Sequence, residues 1–168
     1  MKHQRNVILI VDDDENDRFL LERALKDAGP DVTVRTAQDG IEALAYLDGN
    51  DQFADRKRFP FPTFIFVDLK MPRMDGFAVI QHVKKHPKWA IIPALVFSGS
   101  SDLDDIKKAF LAGAAAYHVK PASPEERKKL CRLLLDYWAR SEAPQTDEYG
   151  KLLKTQSAGK LGEHIAGS

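Results

Sequence analysis

The stretch "FIFVDLKMPRMDG", residues 64–76, combines the pattern of a buried strand with a carboxylate at the strand's end. Four apolar, β-prone residues come first, and Asp68 follows them at once. A continuous apolar run of this length is typical of a strand that is covered on both faces, as in a parallel sheet. The Pro, Asp and Gly that follow favour a turn. The pattern therefore places Asp68 at the rim of a sheet and not in its core.

Similar strand patterns recur along the chain, and segments with helical periodicity separate them. The strand patterns cover residues 6–11, 32–37, 63–68, 93–98 and 115–119. Apolar residues at helical spacing lie in 20–28, 41–47, 77–84 and 106–110. A last helix begins at "SPEE", where Ser123 and Glu126 match a capping box. The alternation predicts an α/β fold, a doubly wound (βα)5 arrangement around a five-stranded parallel sheet.

Polar side chains follow four of the predicted strands at their carboxyl ends, where the working sites of such sheets lie. The acid run "DDDEND", residues 12–17, follows the first strand, and Asp68 follows the third. Ser98 ends the fourth strand, and Lys120 follows the fifth. The fold would therefore bring three acids, one hydroxyl and one amine into a single crevice.

This set of groups suits phosphoryl transfer to a carboxylate. Two carboxylates about 5 Å apart repel by roughly 3 kcal/mol at an effective dielectric of about 20, and a hard cation such as Mg²⁺ relieves that repulsion. Asp68 is a candidate nucleophile, since carboxylates form aspartyl phosphates. Mg²⁺ and Lys120 would neutralise the phosphoryl oxygens, and Ser98 would donate a hydrogen bond to one of them.

Each of these residues also has a purely structural interpretation. The acids of 12–17 would stabilise the first turn of a helix through its dipole. Lys120, which precedes a proline, would suit a solvated loop, and Ser98 would bond to the backbone at a strand end. Tyr117 would pack on a helix as an aromatic residue of an edge strand. The joint position at four strand ends favours the functional interpretation.

Four segments resemble the receiver domain of bacterial two-component response regulators. They are "ILIVDDDENDR", "VDLKMPRMDG", "LVFSGSS" and "AAYHVKP". The intervals of 30 residues from Asp68 to Ser98 and of 22 residues from Ser98 to Lys120 are those that the family uses. The resemblance covers residues 6–138 and implies a flavodoxin-like receiver fold with the strand order 2-1-3-4-5.

The resemblance implies a role for each residue at the strand ends. Asp68 would be the phosphoacceptor, and Ser98 and Lys120 would assist the transfer. Tyr117 would be the aromatic residue that moves inward with Ser98 upon activation. Ser98 stands where the family more commonly has Thr, and the hydroxyl is retained.

The resemblance also implies a Mg²⁺ site next to the phosphoacceptor. Asp13 would contact the metal directly and Asp12 through water, together with Asp68 and the backbone carbonyl of Lys70. Three consecutive aspartates leave this pair open by one residue, and we place it directly after the strand. The long basic side chain of Lys70 departs from the family pattern. It would shield the phosphoryl group from water or pair with it.

The segment 48–63, "DGNDQFADRKRFPFPT", is longer than in the compact family form. A similar insertion occurs in the stand-alone regulators that work with phytochrome-type histidine kinases. Only 47 residues follow Pro121, too few for a helix-turn-helix output domain after the last helix. We therefore predict a receiver domain over residues 6–140 and a flexible polar tail over residues 141–168.

Composition excludes several classes of protein. The 168 residues carry a formal net charge of zero, so a general nucleic-acid binder is not expected. One cysteine excludes internal disulfides and a thiolate metal site, which suits a reducing compartment. No apolar run approaches transmembrane length, and residues 1–6 do not form a signal peptide. These features predict a cytoplasmic protein that binds neither nucleic acid nor membrane.

Two functions from different classes fit the site. The first is a single-domain response regulator that takes a phosphoryl group from a sensor histidine kinase or phosphotransfer protein and signals through protein contacts. The second is an enzyme, a Mg²⁺-dependent phosphatase with an aspartyl-phosphate intermediate. Phosphatases of the haloacid-dehalogenase type have a second acid two residues after the nucleophile, and Lys70 occupies that position here. We therefore expect a signalling domain rather than an enzyme.

The last helix has more apolar surface than one sheet face needs. On a helical wheel its apolar residues spread over roughly 200°, where a stripe of about 100° suffices. The surplus lies around Leu133 and Tyr137 or, on the other flank, around Leu135. Either the tail folds back over it, with Leu152 and Leu153, or it forms a homodimer through helix four, strand five and helix five.

Overall fold

The computed structural model describes residues 6–153, in which five strands alternate with five helices. The strands are β1 Val7–Val11, β2 Thr33–Ala37, β3 Phe64–Val67, β4 Ala94–Ser98 and β5 Ala116–Val119. The helices are α1 Glu15–Ala28, α2 Gly40–Asp48, α3 Gly76–Lys85, α4 Leu103–Ala112 and α5 Pro124–Arg140. A single 3₁₀ turn, Asp51–Phe53, lies between α2 and β3.

The strands form one parallel sheet in the order β2-β1-β3-β4-β5, which confirms the predicted fold. The register pairs Val11 with Ala37 on β2 and with Val67 on β3. The carboxyl ends of these three strands are therefore level with one another. Asp68 lies one residue beyond β3, at the rim that the sequence pattern predicts.

Two apolar layers cover the sheet, as the continuous apolar strands require. Alternate residues of β1 illustrate this, because Leu9 belongs to the layer beneath α2, α3 and α4, whereas Ile8 belongs to the layer beneath α1 and α5. Each layer contains one tryptophan. Trp89 is buried in the first, and Trp138, at the end of α5, stacks on Phe64 of β3 in the second.

Polar caps define where the helices begin. Asp14 caps α1, and its carboxylate accepts from the N–H of Asp17 at 2.9 Å. Ser123 caps α5 in the same way, accepting from the N–H of Glu126 at 3.1 Å. The carboxylate of Glu126 pairs with Lys129, so only half of the predicted capping box forms. Within residues 6–153, no helix is both long and apolar enough to cross a membrane.

The inserted segment 48–63 is held by a buried arginine. The Arg56 guanidinium donates to the carbonyl oxygens of Tyr46 at 2.7 Å, Leu47 at 2.6 Å and Phe59 at 3.1 Å. Two of these carbonyls belong to the last turn of α2, where the regular hydrogen bonds of the helix run out, and the Tyr46 carbonyl also accepts from the N–H of Gly49 at 3.1 Å. The Tyr46 hydroxyl donates to the Pro60 carbonyl at 2.7 Å. The insertion is therefore part of the packed domain.

The first part of the predicted tail contacts this insertion. The Glu148 carbonyl accepts from the N–H of Phe61 at 2.9 Å, and Gly150 leaves no room for a side chain against the Phe61 ring. Thr146 and Leu152 form an antiparallel bridge. Residues 154–168, the rest of the predicted tail, lie outside the described residues. The division into receiver and tail stays a prediction.

The surplus apolar surface of α5 lies on one flank only. Leu133 is 68% exposed and Tyr137 is 65% exposed, whereas Leu135 is 7% exposed and packs in the core. Leu152 and Leu153 are themselves exposed, so residues 141–153 do not cover this flank. The interpretation that Leu152 and Leu153 fold back over it is wrong, because the described part of the tail contacts Phe61 instead.

Candidate functional site

Hydrogen bonds between strand ends fix two acids at the carboxyl edge of the sheet. Asp12 follows β1, and its N–H donates to the carbonyl of Ala37 at the end of β2 at 3.1 Å. Asp68 follows β3, and its N–H donates to the carbonyl of Val11 at 2.9 Å. The sheet thus continues one residue past each strand. The two carboxylates are placed by neighbouring backbones and do not depend on mobile loops.

Three carboxylates meet at this edge. Asp12, Asp13 and Asp68 each offer one oxygen, and the three oxygens lie within 4.8 Å of one another. Asp12 is buried, Asp13 is exposed, and Asp68 is intermediate, so the cluster is open to solvent on the Asp13 side. Oxygen ligands in this number fit a hard divalent cation that keeps part of its water. The residues therefore fit the metal that the sequence predicts.

Lys120 places its ammonium among the acids. Its backbone N–H donates to the Ser98 carbonyl at 2.7 Å, which continues the pairing of β4 with β5. Its side chain is 16% exposed, and Nζ lies 2.7 Å from Asp12, 2.7 Å from Asp17 and 3.7 Å from Asp68. The ammonium therefore partly neutralises the cluster, and it lies close to the Asp68 carboxylate.

Burial dominates the acid–base behaviour of the cluster. Burial raises the pKa of the Asp68 carboxyl from its usual 3.8 to about 6, against the attraction of Lys120 and with help from the charges of Asp12 and Asp13. Burial also raises the pKa of Asp12, although Lys120 donates to it. Burial alone would lower the pKa of Lys120, but hydrogen bonds to Asp12 and Asp17 raise it well above its usual value.

Ser98 and Tyr117 both contact the loop between β4 and α4. The Ser98 side chain is buried, and its hydroxyl oxygen accepts from the N–H of Ser100 at 3.2 Å. The Tyr117 hydroxyl donates to the carbonyl of Ser100 at 2.8 Å. The Ser100 hydroxyl in turn donates to Asp105 of α4 at 2.6 Å. A shift of Ser98 would therefore be felt by Tyr117 through one shared residue.

The structure brings most of the predicted site residues together. Asp12, Asp13, Asp68 and Lys120 form one cluster, and Ser98 contacts Lys120 through the backbone. The Lys70 side chain is exposed, in the loop that follows Asp68. Sequence reasoning missed two further residues of the site. One belongs to the acid run 12–17, and the other follows that run directly.

The two missed residues are Asp17 and Arg18, in the first turn of α1. Asp17 is the second carboxylate partner of Lys120. Arg18 donates to the backbone carbonyl of Asp12 at 2.7 Å and so holds the residue that begins the acid run. The acid run itself was the available signal. It does not tell which acids turn inward, because that depends on where α1 begins.

The fold and this site define the receiver class of signalling domain. The sequence matches the response regulator receiver domain family over residues 8–132. The chain belongs to this family. Receiver domains are the phosphorelay modules of two-component systems, so the chain is a signalling domain of that kind.

Known relatives differ in length. The DNA-binding transcriptional regulator NtrC of Salmonella typhimurium is 32% identical over 146 residues, which are 86% of this chain and 28% of NtrC. The chain thus spans little more than a quarter of the length of that relative. Response regulator Rcp1 of Synechocystis sp. is 27% identical over 132 residues, which are 79% of this chain and 88% of Rcp1.

Two solved structures share the fold over their whole length. The phosphorylated cyanobacterial phytochrome response regulator RcpA has a TM-score of 0.76 and 28% identity, covering 84% of this chain and 99% of RcpA. The Mn(2+)-bound form of Rcp1 has a TM-score of 0.72 and 26% identity, covering 83% of this chain and 99% of that chain.

Proposed function

We propose that the chain accepts a phosphoryl group on Asp68 from the phosphohistidine of a sensor histidine kinase or phosphotransfer protein. The observation that carries the proposal is the convergence of Asp12, Asp13 and Asp68 with the Lys120 ammonium at one edge of the sheet. We assign Asp12, Asp13, Asp68 and the Lys70 backbone carbonyl to a Mg²⁺ site. The likeness to the phosphorylated RcpA and to the Mn(2+)-bound form of Rcp1 supports both parts.

The transfer exchanges one bond to phosphorus for another. A carboxylate oxygen of Asp68 attacks phosphorus, the new P–O bond forms, the P–N bond to the donor imidazole breaks, and the electron pair stays on the nitrogen. Mg²⁺, when bound, supplies positive charge next to the phosphoryl oxygens. Lys120, whose Nζ lies 3.7 Å from the Asp68 carboxylate, supplies a second positive charge. Ser98 would donate a hydrogen bond from its hydroxyl to a phosphoryl oxygen.

Burial of Asp68 has a cost and a use in this reaction. A carboxyl with a pKa of about 6 is still mostly ionised near neutral pH, and ionised Asp68 is the nucleophile. Mg²⁺ would lower that pKa further by stabilising the charged form. We therefore expect Mg²⁺-dependent phosphorylation to persist below about pH 6, where the carboxyl of the metal-free protein would already be largely protonated.

We propose that the output is a contact between proteins at the face formed by α4, β5 and α5, including a homodimer. Leu103, Leu111, Leu133 and Tyr137 are exposed large apolar residues on its two helices. Phosphorylation would reach this face through Ser98 and Tyr117, which share Ser100. The resemblance to RcpA and the insertion 48–63 support a phytochrome-type kinase as donor, and the free thiol of Cys131 supports a cytoplasmic location.

Intact mass after incubation with acetyl phosphate and Mg²⁺ tests the phosphoacceptor. The wild type should gain one phosphoryl group, and Asp68→Asn should gain little. Asp75→Asn is the matched control, because Asp75 lies in the same loop and caps α3 by accepting from Ala78 N–H, which asparagine also does. Equal labelling of the Asp68 variant would refute the assignment. Many turnovers of p-nitrophenyl phosphate by the wild type would favour the phosphatase instead.

Light-scattering mass with and without beryllofluoride and Mg²⁺ tests the dimer. The wild type should associate more strongly with beryllofluoride, and Leu133→Asp should abolish the association. Leu133 is exposed in the monomer, so this substitution should leave stability nearly unchanged. A protein that stays monomeric at high concentration in every condition would remove the homodimer and leave the phosphoacceptor untouched.

A further inference from the structure

The loop between Asp68 and α3 contains an arginine in a strained backbone conformation. The N–H of Met74 donates to the carbonyl of Pro72 at 2.8 Å, which closes a three-residue turn around Arg73. Arg73 has a φ of 67°, a region that glycine adopts readily and that other side chains disfavour. Turns of this kind with a positive central φ are rare and strained. An arginine here points to a contact that its side chain provides.

That contact is an ion pair with a buried carboxylate. Arg73 pairs with Asp39, whose side chain is 4% exposed, although the Arg73 side chain itself is 65% exposed. The other Asp39 oxygen accepts from the N–H of Glu42 at 2.8 Å and so caps α2. Asp39 is therefore held in one orientation by the helix it begins. It gives Arg73 a fixed point outside the loop.

Gly40 and Met74, the residues that follow Asp39 and Arg73, form a second contact between α2 and the loop. A carbon placed on Gly40 would lie 2.9 Å from Cγ of Met74 and 2.7 Å from Cγ2 of Val79, so no side chain fits between α2 and this loop. The loop thus touches the start of α2 at Arg73 through charge and at Met74 through close packing. The far end of the loop is closed as well, because Gly76 N–H donates to the Leu69 carbonyl at 2.9 Å.

We infer that Arg73 is a positioning residue for the metal site, which it serves by fastening loop 69–75 to Asp39. The inference rests on the proposed function, because the loop matters to a cation through Asp68 at its start and the Lys70 carbonyl within it. Arg73 does not touch the metal or the phosphoryl group. Without the pair, the loop would lose its charged attachment to α2, and the Lys70 carbonyl within it would be less firmly positioned after Asp68.

A surface ion pair with no such role predicts a different result. Exposed pairs contribute little to stability and nothing to a site to which they are not connected. The test is therefore cation affinity and loop protection, and not stability alone. Arg73→Gly is the informative variant, because glycine accepts the positive φ and so removes the pair without leaving strain behind.

Calorimetric titration with Mg²⁺ and with Mn²⁺ measures the cation affinity. Arg73→Gly, Arg73→Ala and Asp39→Asn should each bind about tenfold more weakly, the lower end of what outer partners of metal ligands contribute. The double variant Arg73→Ala with Asp39→Asn should be no weaker than either single variant, because one pair is lost in each case. Lys129→Ala removes an exposed ion pair with Glu126 on α5 and should bind as the wild type does.

Hydrogen exchange of the metal-free protein measures the protection of the loop. Amides of residues 69–76 should exchange faster in Arg73→Gly and Asp39→Asn than in the wild type, while those of the core strands stay protected. Unchanged affinity and unchanged exchange in Arg73→Gly, with normal phosphorylation of the wild type, would overturn this inference alone. A wild type that binds the cations but is never phosphorylated on Asp68 would overturn the proposed function and leave the loop result standing.

Discussion

Replacing Asp68 by asparagine should stabilise the metal-free protein, and the gain should depend on pH. The pKa of Asp68 in the folded protein is about 6 against 3.8, a rise of about two units. At about 1.4 kcal/mol per unit, the charged carboxylate would cost about 3 kcal/mol. The site is partly open to solvent, and screening reduces this to about 1–2 kcal/mol. Asparagine keeps the shape and removes the charge.

The raised pKa of Asp68 fixes the direction in which this stability difference changes with pH. Below about pH 4, Asp68 is protonated in both the folded and the unfolded chain, and the cost is absent. Above about pH 6 it is charged in both, and the cost is fully present. The stability advantage of Asp68→Asn should therefore grow between about pH 4 and pH 6 and stay constant above that range. Taking the difference between variant and wild type cancels the carboxylates that lie outside this cluster.

Urea unfolding in EDTA at several pH values, followed by tryptophan fluorescence, measures this difference. Mg²⁺ should then stabilise the wild type more than the variant, since the variant has lost a ligand. Asp75→Asn again serves as the control for a substitution in the same loop. A difference that is flat with pH, or a variant less stable than the wild type at pH 7.5, would refute the shared pocket.

Three other substitutions test separate contacts. Lys120→Met leaves the buried carboxylate of Asp12 without its cation, so it should destabilise the metal-free protein by about 2–3 kcal/mol in urea unfolding and lose part of that defect in Mg²⁺. Tyr117→Phe removes the hydrogen bond to Ser100, so it should cost about 1 kcal/mol and speed amide exchange in the β4–α4 loop while phosphorylation persists. Arg56→Ala removes three hydrogen bonds to backbone carbonyls, so it should destabilise by about 2–4 kcal/mol, and lysine should not restore the loss, because one ammonium cannot replace the guanidinium fork.

The position of the site residues at one edge of the sheet was predictable from sequence, because it follows from the order of the strands along the chain. A parallel sheet puts the carboxyl ends of its strands at one edge, so Asp12, Asp68 and Lys120 had to approach one another once the strands were recognised. Their chemistry followed from residue type. The start of α5 after Ser123 was predictable for a different reason, since a helix cap is a local sequence signal.

Contacts between distant segments were not predictable, because no local pattern encodes them. The partner of Lys120 in α1, Asp17, is 103 residues away, and it could not be separated from its acidic neighbours. The polar composition of the chain after Arg140 suggests a flexible tail, yet Glu148 accepts a backbone hydrogen bond from Phe61. Whether Leu133 or Leu135 faced solvent depended on how α5 packs beside α1, which a helical wheel does not contain.

The two tryptophans give each face of the sheet its own optical probe. Trp89 lies in the layer beneath α2, α3 and α4, and Trp138 lies in the layer beneath α1 and α5, stacked on Phe64. The variants Trp89→Phe and Trp138→Phe would therefore each leave one fluorophore, on a known side of β3. Coincident unfolding curves for the two variants would show that both halves melt as one cooperative unit, and separate curves would reveal an intermediate in which one face is still closed.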